Sequence, residues 1–131
     1  MIAQKWNNRI FTNITNAVFD VCQHTTIGSS STITEFPTLS FKQIGGNNAS
    51  TDLEINDCGA NVTYQIEVFT HGSGKILLNE EIISLADEAF HKMGFQCIHC
   101  EQIDNLADET IYRTVARYRR YIGGGEEIKL I

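Results

Sequence analysis

Between Asn61 and Ile122 an alternating strand, an amphipathic helix and two further alternating strands follow one another with almost no spare residues. Val62, Tyr64, Ile66 and Val68 alternate with Thr63, Gln65 and Glu67, the pattern of a strand with one buried face. The period then lengthens. Ile82, Leu85, Ala86, Ala89, Phe90 and Met93 form a helical stripe, and Gly94 supplies a left-handed stop. Asn79 is expected to cap this helix, with Glu80 and Glu81 in its first turn opposing the positive dipole end. Phe95 to Gln102 and Glu109 to Ile122 read as the last strands, joined across the acidic turn Asp104 to Asp108. In the final strand, alternation places Arg113, Arg117 and Arg119 on one face with Ile111, Val115 and Tyr121. Tyr112, Thr114, Ala116, Tyr118 and Arg120 share the other face. If that second set packs inward, the arginines look outward.

Upstream, Ile10, Ile14, Val18 and Val21 recur at helical spacing between Trp6 and about Cys22, with Ala17 filling the stripe. Several Asn and Thr residues lower the intrinsic propensity there, so packing must hold this helix. Gln23 to Thr34 is rich in Ser, Thr and Gly and reads as a mobile loop. Phe36 to Ile44 is the first strand, with Pro37 at its start, where a missing N–H is tolerated. Asn48 to Ala60 is either a long loop or the arms of an extended hairpin, since Leu53 and Ile55 alternate with Glu54 and Asn56. A connection of that length is more often functional than accidental, and it is expected to project from the fold. Gly123-Gly124-Gly125 is a hinge, and the tail 123–131 beyond it is flexible unless a partner orders it.

At 131 residues the chain is one domain, 1–131, able to bury about two-thirds of its unfolded surface without disulfides or metal. The element order helix, strand, strand, helix, strand, strand predicts an α+β fold: a small mixed or mainly antiparallel sheet with two helices packed on one face. A net charge of -6 argues against non-specific nucleic-acid binding by the chain as a whole. No signal-peptide core forms near the N-terminus and no segment approaches membrane-spanning length, so the expectation is a chain that matures in a cytosol with reduced cysteines. The sequons at Asn13, Asn48 and Asn61 are then chance matches.

Motifs with catalytic chemistry are weak. Cys97-Ile98-His99-Cys100 has the spacing of a zinc or dithiol site, with His91 as a conceivable outside ligand. On a regular strand, however, residues three apart point to opposite faces, and a second cysteine pair is missing. The expectation is therefore no metal and no cofactor. Gly72-Ser73-Gly74-Lys75 fails as a phosphate loop, because Phe69 stands where glycine is needed and Ile76 where Ser or Thr is needed. His24, His71, His91 and His99 lie in dissimilar contexts, and no nucleophile elbow is present. An enzyme is not expected. The arginine face has two readings: a solvated edge protected by charge, or an interface strand, since Arg and Tyr are enriched at protein contacts.

The strand opening at Glu35-Phe36-Pro37, the strand Tyr64 to Phe69 and the strand Tyr112 to Tyr121 together resemble the tail terminator proteins of long-tailed bacteriophages. The resemblance spans most of the chain, excluding Cys97 to Cys100 and the glycine-hinged tail. It implies a structural virion protein forming a hexameric ring on the last ring of the major tail tube protein, at the head-proximal end of the tail. Such a ring stops tube growth, offers a surface for head-tail connector proteins, and leaves a lumen through which genome DNA passes. Assembly in the bacterial host cytoplasm, without a membrane partner, follows from the same resemblance. Arg113, Arg117, Arg119, Tyr121, Leu53 and Ile55 are the candidate subunit or tube contacts. The alternatives are another neck connector or tail completion protein and, in a different class, a small nucleic-acid-binding module using Arg113, Arg117, Arg119 and Tyr121. A zinc or thiol enzyme centred on Cys97 and Cys100 is a further one.

Overall fold

Strands β1 (His24–Ile27), β2 (Thr38–Thr51), β3 (Asp57–His71), β4 (Gln96–Asp104) and β5 (Ile111–Gly123) form one five-stranded sheet in the computed structural model. Its strand order is β1-β2-β3-β5-β4. The structure describes residues 5–28, 35–51, 57–104, 110–123 and 125–131. Helices α1 (Asn7–Val18) and α2 (Lys75–Lys92) both pack on one face of this sheet. β1 runs parallel to β2 and every other pairing is antiparallel, so the fold is α+β with a mixed sheet.

Register follows the alternation. Tyr64 pairs with Tyr118 and Ile66 with Ala116, which puts the apolar set of β3 and that of β5 on the same side. All four residues are fully buried. Phe41 stacks on Tyr64, Phe95 meets Tyr64 edge-on, and Phe90 stacks on Tyr118 with ring centroids 4.1 Å apart. From the helices, Ile10, Ile14 and Val18 of α1 and Ile82, Ala86, Ala89 and Phe90 of α2 complete the core. These are the stripes their spacing predicts.

Several expectations need correction. The segment read as a loop from Gln23 contains β1, whose His24 to Ile27 match Thr38 to Phe41 in register. A four-residue polar strand carries no usable periodicity; its pairing partner defines it. Asn79 does not cap α2. The helix begins four residues earlier, after Gly74, whose φ of 76° is left-handed, and there is no acidic residue in its first turn. Ile76 and Leu77 stand exposed in that turn, so its apolar residues do not follow the buried stripe. Asn79 is instead fully buried, and its Nδ2 donates to the carbonyls of Val68 and Tyr112 and to Thr70 Oγ1. Of the two readings given for Asn48 to Ala60, the hairpin arms hold where the segment is described, with Ser50 matched to Gly59 and Thr51 to Asp57, and residues 52–56 lie outside the described residues.

The tail beyond the glycines finds contacts within its own chain. Asn13, placed off the apolar stripe by its polarity, is buried and donates from Nδ2 to the Lys129 carbonyl at 2.9 Å, while its Oδ1 accepts from the Ile131 N–H. Arg9 donates to the Ile128 carbonyl, and the Ile128 side chain enters the core. At the hinge, the Gly123 N–H donates to the Glu126 carboxylate, which also pairs with Arg120. The hydrogen bond from Gly123, followed by the charge of Arg120, lowers the Glu126 pKa.

Burial raises the pKa of the Cys22 thiol to about 11 and pushes both Tyr64 and Tyr118 well above the ordinary phenol value. All three groups hold their protons more tightly folded than unfolded. The unfolded chain therefore binds fewer protons above about pH 9, and stability falls as pH rises from there, by up to about 1.4 kcal/mol per pH unit for each group. Urea unfolding midpoints should drop between pH 8 and pH 10.5. Cys22→Ala and Tyr64→Phe should each flatten that dependence; an unchanged slope in both would show that these protons are not linked to folding.

Candidate functional site

The face of the sheet opposite the helices carries the arginine row. Arg113, Arg117, Arg119 and Tyr121 all lie on it, matched across to Phe69, Gln65, Thr63 and Asn61 of β3. Arg117, Arg119 and Tyr121 are exposed and Arg113 is half-buried. Among the described residues, no helix covers this face. Leu53 and Ile55, the other two candidate contacts, lie outside the described residues.

Hydrogen bonds organise part of the row. Arg117 Nε donates to Gln65 Oε1 at 2.9 Å, Gln65 Nε2 donates to Glu67 Oε1 at 3.0 Å, and Arg113 Nη2 donates to the same Glu67 oxygen at 2.9 Å. Arg113 also lies over the Phe69 ring, with its guanidinium carbon 5.7 Å from the centroid. Long polar side chains lying along the sheet shield their apolar neighbours, and Val115 and Phe69 are accordingly buried although they face away from the helices. Arg113 thus has a carboxylate in its own chain. The residues left presenting themselves outward are Arg117, Arg119 and Tyr121.

Tyr121 is held by a close approach. Gly59 lies near it on the neighbouring strand, and a Cβ built there would stand 2.1 Å from the Tyr121 hydroxyl oxygen. Only glycine leaves room for the ring in this position, and the ring remains 45% exposed. Neither Gln65, Glu67 nor Gly59 was singled out from sequence as part of this face; each becomes visible only through the β3–β5 register.

The cysteine pair requires a further correction. The register between β4 and β5 shifts between Cys97 and His99, so Cys97 is matched to Tyr118 and Cys100 to Ala116. Both partners point to the helix side. The irregularity at Ile98 therefore brings Cys97 and Cys100 onto one face, and the argument from opposed faces fails. Both thiols are exposed and line a cleft beside α2. Burial first, then the charges of Cys97 and Asp87, raise the pKa of Cys100, which disfavours its reactive thiolate. His91 does not approach the pair as a ligand but sits 3.2 Å from Asp87. Among the described residues, no group of three or more His, Cys, Asp or Glu side chains is placed to hold a metal ion. No helix among them is long and apolar enough to cross a membrane.

Comparison with known proteins adds no assignment: the chain matches no protein-family model and no curated protein sequence.

The polar network predicts a contrast within the arginine row. Arg113 Nε is already buried without a partner, so Glu67→Ala would leave the guanidinium without its carboxylate. The expected loss is about 1.5–3 kcal/mol in urea unfolding. Arg119→Ala, at an exposed position, should stay within about 0.5 kcal/mol. Equal losses for the two variants would remove the distinction between network and free surface.

Proposed function

We propose that this chain is a ring-forming structural protein of the phage tail terminator type, capping the tail tube and offering a surface for head joining. The observation that carries this reading is the exposure of Arg117, Arg119 and Tyr121 together on a sheet face that no described helix covers. A monomer gains little from arranging two arginines and a tyrosine there, whereas a neighbouring subunit with carboxylates uses them directly. The chain itself supplies those carboxylates, having 16 Asp and Glu against 10 Lys and Arg. A contact between one patch and a different patch on the next copy closes into a ring when the rotation allows. In this reading the other partners are the major tail tube protein on one ring face and head-tail connector proteins on the other, with genome DNA passing through the lumen. The long β2–β3 hairpin, whose arms continue beyond Gly59 to Thr51 and Asp57, is suited to reach the neighbouring subunit or the tube.

Removing one partner of a desolvated charge pair costs about 2–5 kcal/mol, whereas an exposed pair contributes roughly 0–1 kcal/mol. Arg117→Glu/Arg119→Glu should therefore leave a soluble monomer with native circular dichroism and a cooperative melt, and abolish assembly in sedimentation velocity. An assembly of unchanged mass in the double variant would remove this strand from the ring contact, and a wild-type chain that stays monomeric with and without purified tail tubes would overturn the ring itself.

A further inference from the structure

β4 is the edge strand of the sheet, hydrogen-bonded to β5 alone. It carries Cys97 and Cys100, both free and exposed, on the wall of a cleft of about 440 Å³ that α2 bounds on its other side. The irregularity at Ile98 decides what this pair can do. With Cys97 matched to Tyr118 and Cys100 to Ala116, the two cysteines face the same way, and their partners lie only two residues apart on β5. Two residues of strand span about 6.6 Å, and disulfides join Cα atoms about 4.4–6.8 Å apart. The pair therefore stands near the upper end of bonding range.

One sulfur is already turned toward the other residue. The Cys97 thiol donates to the His99 carbonyl at 3.5 Å, so it lies against the peptide group that leads into Cys100. Because β4 is hydrogen-bonded on one side only, the remaining closure disturbs a single ladder. Among the described residues no third His, Cys, Asp or Glu joins the two thiols in a metal-binding group, which leaves sulfur–sulfur exchange as their chemistry. Burial, followed by the charges of Cys97 and Asp87, raises the pKa of Cys100. The reduced pair thus lacks the thiolate stabilisation that makes a disulfide easy to reduce, and an uncharged disulfide is indifferent to the same surroundings.

We propose that Cys97 and Cys100 form a reversible dithiol–disulfide pair, oxidised by exchange with a low-molecular-weight disulfide such as oxidised glutathione. One cysteine loses its proton and attacks a glutathione sulfur, which gives a mixed disulfide and releases one glutathione thiolate. The second cysteine, deprotonated in turn, attacks the protein sulfur of that mixed disulfide and expels the other glutathione. Each released thiolate takes up one of the two protons. The protein dithiol loses two electrons and two protons, and the small disulfide is reduced to two thiols. The site lies on the helix side of β4, away from the arginine row, and its chemistry does not depend on the assembly reading.

The test uses the reduced full chain and oxidised glutathione, with an acid quench, alkylation after unfolding and tryptic mapping. Met93 to Arg113 contains no internal Lys or Arg, so both cysteines fall in one peptide. That peptide should lose two hydrogen masses and both alkylation sites at least tenfold faster than buried Cys22 is modified, and dithiothreitol should restore it. Cys97→Ser and Cys100→Ser each lack a resolving thiol and should instead retain one glutathione on the remaining cysteine. Glutathione held on the wild-type peptide without an internal bond, both thiols still free after Cys22 has reacted, or linkage of either cysteine to Cys22, to Cys58 or to a second chain would overturn the pair.

Discussion

The cross-strand pair Tyr64–Tyr118 ties the two layers of this protein together. The two residues face each other on β3 and β5, and each directs its hydroxyl to a different helix: Tyr64 to Asn7 at the start of α1, Tyr118 to Asp87 in α2. Their rings carry the aromatic cluster that includes Phe41, Phe90 and Phe95. A buried tyrosine must place its hydroxyl on a partner, so each ring fixes the height and rotation of the helix above it as well as burying apolar area. With both helices anchored on one side, alternation sends the next residues of the same strands, Gln65 and Arg117, to the other side.

The division of labour between the two faces follows from this pair. On the helix side, packing is largely apolar, and at the β4 edge α2 leaves a cleft lined in part by Asp87, Cys97 and Cys100. On the opposite side, a chain of hydrogen bonds from Arg117 through Gln65 and Glu67 to Arg113 stiffens the strand surface without burying it under a second layer. A surface that is ordered by its own network, yet still exposes Arg117, Arg119 and Tyr121, pays little entropy when another polypeptide lies on it. That is the physical basis for reading the face as an assembly surface.

Much of this architecture was legible in the sequence because the strongest signals are periodic. Val62 to Val68 and the Ile82 to Met93 stripe declare their buried faces, and the α+β class with both helices on one side follows. The arginine row was legible for the same reason, as a consequence of period two. What stayed hidden depends on relations between strands or on distant backbone groups. Asn13 is buried because the Lys129 carbonyl and the Ile131 N–H need its amide, and Asn79 because two strand carbonyls do. Local polarity cannot announce such partners. One register shift near Ile98 reversed the expected relation of Cys97 to Cys100, since a single added residue turns every following side chain to the other face. The network through Gln65 and Glu67 and the space that Gly59 leaves for Tyr121 likewise exist only once β3 and β5 are aligned.

In the proposed assembly, the helix-free face is covered by another copy of the chain in solution. Hydroxyl-radical footprinting at two protein concentrations reads that contact, because Tyr121 is reactive and 45% exposed on that face, while Leu77, at 74% exposure on α2, serves as an internal reference. Tyr121 should be protected relative to Leu77 at the higher concentration, and the protection should be lost on dilution. A Tyr121 modification rate that stays constant relative to Leu77 across both concentrations, in a sample shown by sedimentation to be assembled at the higher one, would place the contact elsewhere and contradict it.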